Sequence, residues 1–102
     1  MKAKLVRDKI PEIIHKSGKI TVTHVALGDE AKKAVIAKMY EEIQEFEEEP
    51  SLEEAADIYQ VFMTLLTVHN LTFDNVIKKA VYKSADRGRF DQMIILDEVL
   101  NK

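Results

Sequence analysis

The scarcity of turn-forming residues constrains this chain more than any other feature, because three Gly and two Pro occur in 102 residues, against roughly 12% in an average protein. Too few remain for a sandwich or barrel of many short strands, and a mainly α fold is expected. All five stand where a boundary is useful. Pro11 falls in a first helical turn, Gly18 follows Lys16, Gly28 precedes an acidic start, Pro50 separates two long periodic stretches and Gly88 follows a third. Between them, Lys9–Lys16 reads as a short helix. Asp29–Glu48 reads as a long one, with Val35, Ile36, Met39, Ile43 and Phe46 at helical spacing. Ser51–His69 repeats that pattern behind a Ser51 cap, and Phe73 to about Arg87 follows behind Thr72, with Phe73, Val76, Ile77 and Ala80 on its inner face. Lys19–Ala26 alternates apolar and polar residues as a half-buried strand does, and Met93–Leu96 is the other strand-like run. The two could pair in a short two-stranded β element.

With 46% hydrophobic residues the chain, 1–102, has matter for one domain and one core. A chain this short buries only about two-thirds of its unfolded surface, so pairing with a second copy would help. Fifteen Lys and Arg against 18 Asp and Glu give a net charge of −3. That balance, with no basic stretch, lacks the footprint of a nucleic-acid binder. No run is long and apolar enough to span a bilayer, and the start lacks a secretory apolar stretch, so a soluble, cytoplasmic protein without membrane partners is expected. Without cysteine there are no disulfides, thiolate metal sites or thiol nucleophiles, and any metal must be held by oxygen or imidazole.

The informative charges lie on the two long helical segments. At about 100° per residue, Ile58, Val61 and Leu65 fall within roughly 40° of Glu54, while Asp57 lies about 60° to one side. Glu54 thus points into an apolar stripe, where a carboxylate costs several kcal/mol unless something compensates it. A local cause is available, since Ser51-Leu-Glu-Glu54 matches a capping box. It does not account for Asp57. On the preceding segment Glu41, Glu42 and Glu45 span an arc of about 100° beside the Val35/Met39/Phe46 stripe. Six of the nine residues from 41 to 49 are Glu, so a merely solvated face is the plain alternative, and Glu47, Glu48 and Glu49 are assigned to it. Two antiparallel helices joined at Pro50 would nevertheless bring Glu42 and Glu45 opposite Glu54 and Asp57. Four converging carboxylates repel one another, and the simplest relief is a hard divalent ion, Mg²⁺ or Mn²⁺.

Lys83 and Arg87 fall within about 20° of Val76, on the stripe expected to face inward. They could bind phosphates or simply bridge the glutamates. His15, His24 and His69 share no ligand spacing, and His69, on an apolar face, reads as a core residue.

Glu41-Glu42-x-x-Glu45 followed by Glu54-x-x-Asp57 resembles the EExxE and ExxD signature of the MazG-like all-α nucleoside triphosphate pyrophosphohydrolases. Leu5–Ile14 resembles the opening of a small MazG-related, phosphoribosyl-ATP-pyrophosphohydrolase-like subgroup, and Lys83 with Arg87-Gly88-Arg89-Phe90 resembles its closing K…RGGF. Arg89 stands where that motif has its second glycine, and eight residues separate Glu45 from Glu54. The resemblance implies an all-α helical bundle, dimeric or larger, that uses Mg²⁺ to hydrolyse a nucleotide between its α and β phosphates. It makes Glu42, Glu45, Glu54 and Asp57 the metal ligands, with Glu41 as a supporting group or the base for the attacking water. Lys83 and Arg87, with Arg7 and Lys9 of the opening motif, are then the substrate-binding candidates. The competing expectation is a noncatalytic helical module that keeps the acidic cluster but senses nucleotide or binds a protein.

Overall fold

The computed structural model describes residues 3–101, which hold four helices and, among them, no strand. The mainly α expectation is met: α1 spans Ile10–Lys16, α2 Gly28–Glu48, α3 Leu52–Val68 and α4 Phe73–Arg87. The described residues fall into two compact units, the first ending at Leu71 and the second beginning at Thr72.

In the first unit Pro11 sits in the opening turn of α1, where its missing N–H has no helical acceptor to lose. Gly18, just past that helix, adopts φ +89°, a left-handed conformation that costs a residue without Cβ nothing. α2 runs 21 residues, about 31 Å, with Asp29 and Glu30 in its first turn. A short link then carries the chain into α3, whose Ser51 Oγ accepts a hydrogen bond from the Glu54 N–H at 3.1 Å. Asn70 takes the left-handed position after α3, φ 57°, and the Leu71 N–H closes back on the Leu66 carbonyl at 2.9 Å. Asn70 thus takes after this helix the left-handed place that Gly18 takes after α1.

α2 and α3 pack as a helical hairpin. Its centre is thin: Val35 and Leu66 are the buried hydrophobic residues, flanked by half-buried Met39, Phe46, Ile58, Val61 and Leu65. Glu42 is the buried charged residue, 5% exposed. In the second unit, Thr72 Oγ1 caps α4 by accepting from the Asn75 N–H at 3.2 Å, and Gly88 ends it at φ +85°.

Three expectations are corrected here. Residues 19–26 and 93–96 form no β element. Ile20 and Val22 are 93% and 99% exposed, and the first segment is tied instead through side chains, His15 to Thr21 and His24 to Glu30. A two-stranded pairing is marginal in water without a third strand or a helix beneath it. His69 is an exposed residue at the end of α3, because the apolar stripe it was counted on stops at Leu66. Lys83 and Arg87 are exposed as well. The half-buried positions of α4 are Phe73, Val76 and Ser84, and the Arg87 Nε lies 3.7 Å from the Asp86 carboxylate.

Candidate metal and substrate site

The α2–α3 hairpin draws its carboxylates together near the link. Oxygens of Glu42, Glu54 and Asp57 lie within 4.8 Å of one another, and so do those of Glu41, Glu42 and Glu45. Glu42 belongs to both sets. The spacings explain the grouping, since positions i, i+1 and i+4 on α2, and i and i+3 on α3, place each helix's acids on one side.

Three cations meet this cluster. Lys38, one turn before Glu42 on α2, puts its Nζ 3.2 Å from Glu42 Oε1 and 3.4 Å from Glu41 Oε1. The non-helical segment ahead of α1 supplies the others: Lys4 Nζ lies 3.0 Å from Glu41 Oε1, and Arg7 Nη2 lies 2.6 Å from Asp57 Oδ1. Counted as fully ionised, five carboxylates therefore face three cations, a formal deficit of two positive charges. Two oxygens, Glu42 Oε2 and Glu54 Oε2, are inaccessible to water and have no hydrogen-bond partner. A buried acceptor left in that state costs about 1–3 kcal/mol, and more when charged.

The ionisation of the group follows from these contacts. Loss of hydration lifts the Glu42 carboxyl above its usual range, with Lys38 opposing and Glu45 reinforcing the shift. Glu54 is lifted too, by lost hydration first and then by Asp57 and Glu42, with the neighbouring Glu45 carboxyl, which can donate to it only when protonated, opposing the shift. The hydrogen bond from Lys4 holds Glu41 below the usual carboxylate range, helped by Lys38, and the same bond raises Lys4. Glu41 is accordingly a weak base while Lys4 is attached.

The donor set suits a hard divalent cation: every ligand is a carboxylate oxygen, the formal charge deficit is two, and two of the oxygens are otherwise orphaned. Beside it opens a cleft of about 430 Å³, lined on its apolar side by Leu5, Val6 and Val61 and on its polar side by Arg7, Asp8, Lys9, Lys38, Glu42, Asp57, Gln60 and Thr64. That volume is within the range of small-molecule sites.

Of the sequence-derived candidates, Glu41, Glu42, Glu45, Glu54, Asp57 and Arg7 come together here, and Lys9 lines the cleft. Lys83 and Arg87 belong to the second unit. Lys38 and Lys4 were missed. The spacing of Lys38, three and four residues before Glu41 and Glu42, could have found it, whereas Lys4 meets Glu41 across 37 residues and left no local signal. No family model, curated protein or solved structure matches this chain.

Proposed function

We propose that this chain is a Mg²⁺-dependent pyrophosphohydrolase with a MazG-like, all-α helical bundle, cleaving a nucleoside triphosphate or a related nucleotide between its α and β phosphates. The observation that carries the reading is the pair of buried, unpartnered oxygens, Glu42 Oε2 and Glu54 Oε2, inside a carboxylate group formally two positive charges short of neutrality. Mn²⁺ would suit the same ligands.

Glu42, Glu45, Glu54 and Asp57 are the ligand set in this reading. When bound, the ion supplies charge neutralisation to the phosphate oxygens and lowers the pKa of water. Phosphoanhydride hydrolysis asks little covalent chemistry of a protein and much positioning and electrostatics. Glu41, held ionised by Lys4 and Lys38, orients the attacking water as an acceptor and becomes a competent base only when Lys4 leaves. Arg7, Lys9 and Lys38 are the cations of the cleft wall that a phosphate chain could recruit, standing there beside Asp8, Glu42 and Asp57. Lys83 and Arg87 remain substrate contacts in this reading on the strength of the resemblance alone. A homodimer or larger assembly belongs to the same proposal.

The test is pyrophosphate release from a panel of canonical, deoxy and damaged nucleotides and phosphoribosyl-ATP, with and without Mg²⁺. Turnover should require the ion, and Asp57→Asn or Glu54→Gln should each lower it by at least about a hundredfold without unfolding the protein. Glu48→Gln, an exposed neighbour, should change it less than twofold. No release from any member, or near-normal turnover in both ligand variants, would overturn the assignment.

A further inference from the structure

Arg7 is joined to Asp57 across 50 residues by an ion pair at 2.6 Å, yet its side chain is 57% exposed and its backbone lies outside any helix. A guanidinium held by one strong contact and little packing can leave without disturbing the fold. The place it occupies is one a divalent cation would need. Glu42, Glu54 and Asp57 form one carboxylate triad, and Arg7 approaches it through the Asp57 corner. Its neighbours on the cleft wall are the cations Lys9 and Lys38 and the acids Asp8 and Glu42, the second already engaged by Lys38.

We propose, resting on the metal-site reading above, that Arg7 is a displaceable counter-ion: it neutralises Asp57 while the site is empty, gives way to the divalent cation, and then contacts the anionic chain of the substrate. Two charge requirements drive the exchange. Without metal, removing Arg7 would leave the acids one charge further from neutrality, so the contact guards the empty cluster against self-repulsion. With metal, a guanidinium and a divalent ion on one carboxylate repel each other, and a polyphosphate entering the cleft is the stronger anion for a planar, bidentate donor. Arg7 thereby couples ion binding to substrate binding. The ion releases the Arg7 side chain that the phosphates then recruit.

The experiment is calorimetric titration of Mg²⁺ and Mn²⁺ into the metal-free protein, then of inorganic tripolyphosphate at saturating Mg²⁺, for wild type, Arg7→Met, Arg7→Lys and Glu42→Gln. Circular dichroism verifies the fold of each. Arg7→Met should bind the metal about two- to fivefold more tightly, the scale of an exposed ion pair removed from competition. It should bind tripolyphosphate about tenfold or more weakly. Arg7→Lys, which keeps the charge, should stay near wild type for metal and lose part of the tripolyphosphate affinity. Unchanged or weaker metal binding in Arg7→Met overturns the proposal, as does tighter metal binding with undiminished tripolyphosphate affinity. Failure of the underlying metal site reads differently: wild type would then bind no metal, or Glu42→Gln would bind it as well as wild type, and the proposal falls with it.

Discussion

Glu42 concentrates the physical argument at the scale of single residues. It is buried, shares Lys38 through one oxygen, has no partner for the other, and is crowded by Glu45. Because burial raises its pKa in the fold, the folded protein holds a proton there that the unfolded chain releases at lower pH. The contribution of this group to stability is therefore greatest below the ordinary carboxylate range and is lost as pH rises through its raised value. Metal-free protein should show a urea midpoint that declines over that window, and Glu42→Gln should flatten the decline and raise stability near neutrality by about 1 kcal/mol. Saturating Mg²⁺ should flatten it as well in wild type, because the ion replaces the proton. A midpoint independent of pH in the metal-free wild type would contradict the burial argument. The site was legible to the extent that helical spacing made it so. Glu41, Glu42, Glu45, Glu54 and Asp57 could be placed on facing sides of two helices by counting residues. Lys4 and Arg7 depend on where an irregular segment lies, and no periodicity encodes that.

At the scale of elements, the α2–α3 hairpin is what the chain spells most clearly. Apolar residues at helical spacing, Pro50 between the two stretches and Ser51 before the second gave both helices nearly to the residue. The Ser51 cap also has a functional consequence, for it fixes the first turn of α3, from which Glu54 projects. Ser51→Ala should cost about 1 kcal/mol of stability. It should also weaken Mg²⁺ binding several-fold with no ligand removed, and denaturation beside metal titration would check both. Equal loss of stability with unchanged metal affinity would mean that Glu54 is held by packing alone. Residues 19–26 show the opposite case. Their alternation is that of a strand, but a strand is an agreement with a neighbour, and side-chain ties from His15 and Glu30 hold this segment without one.

At the scale of the whole molecule, many large apolar residues among those described are exposed. Val35 and Leu66 are its buried hydrophobic residues, while Leu52, Tyr40 and Val81 are 88%, 73% and 64% exposed and Phe90 is 90% exposed. Isolated exposed apolar residues are ordinary, but this number beside so small a core is the reason the proposal includes an assembly. Light scattering at micromolar concentration should report a dimer or larger species, with thermal stability that rises with protein concentration. A monomer of full activity and concentration-independent stability would remove that expectation. No described helix is long and apolar enough to cross a membrane. The run Met93-Ile94-Ile95-Leu96, each residue at least 76% exposed, carries a further consequence. Asp91 stands before it and Asp97 and Glu98 behind, so a short stretch of high β-propensity is bracketed by negative charge. Those three acids stand where gatekeeper residues would. Repulsion between these acids on neighbouring copies would oppose edge-to-edge stacking of the run, Asp91 less than the other two because the Arg89 Nε lies 3.6 Å from its carboxylate.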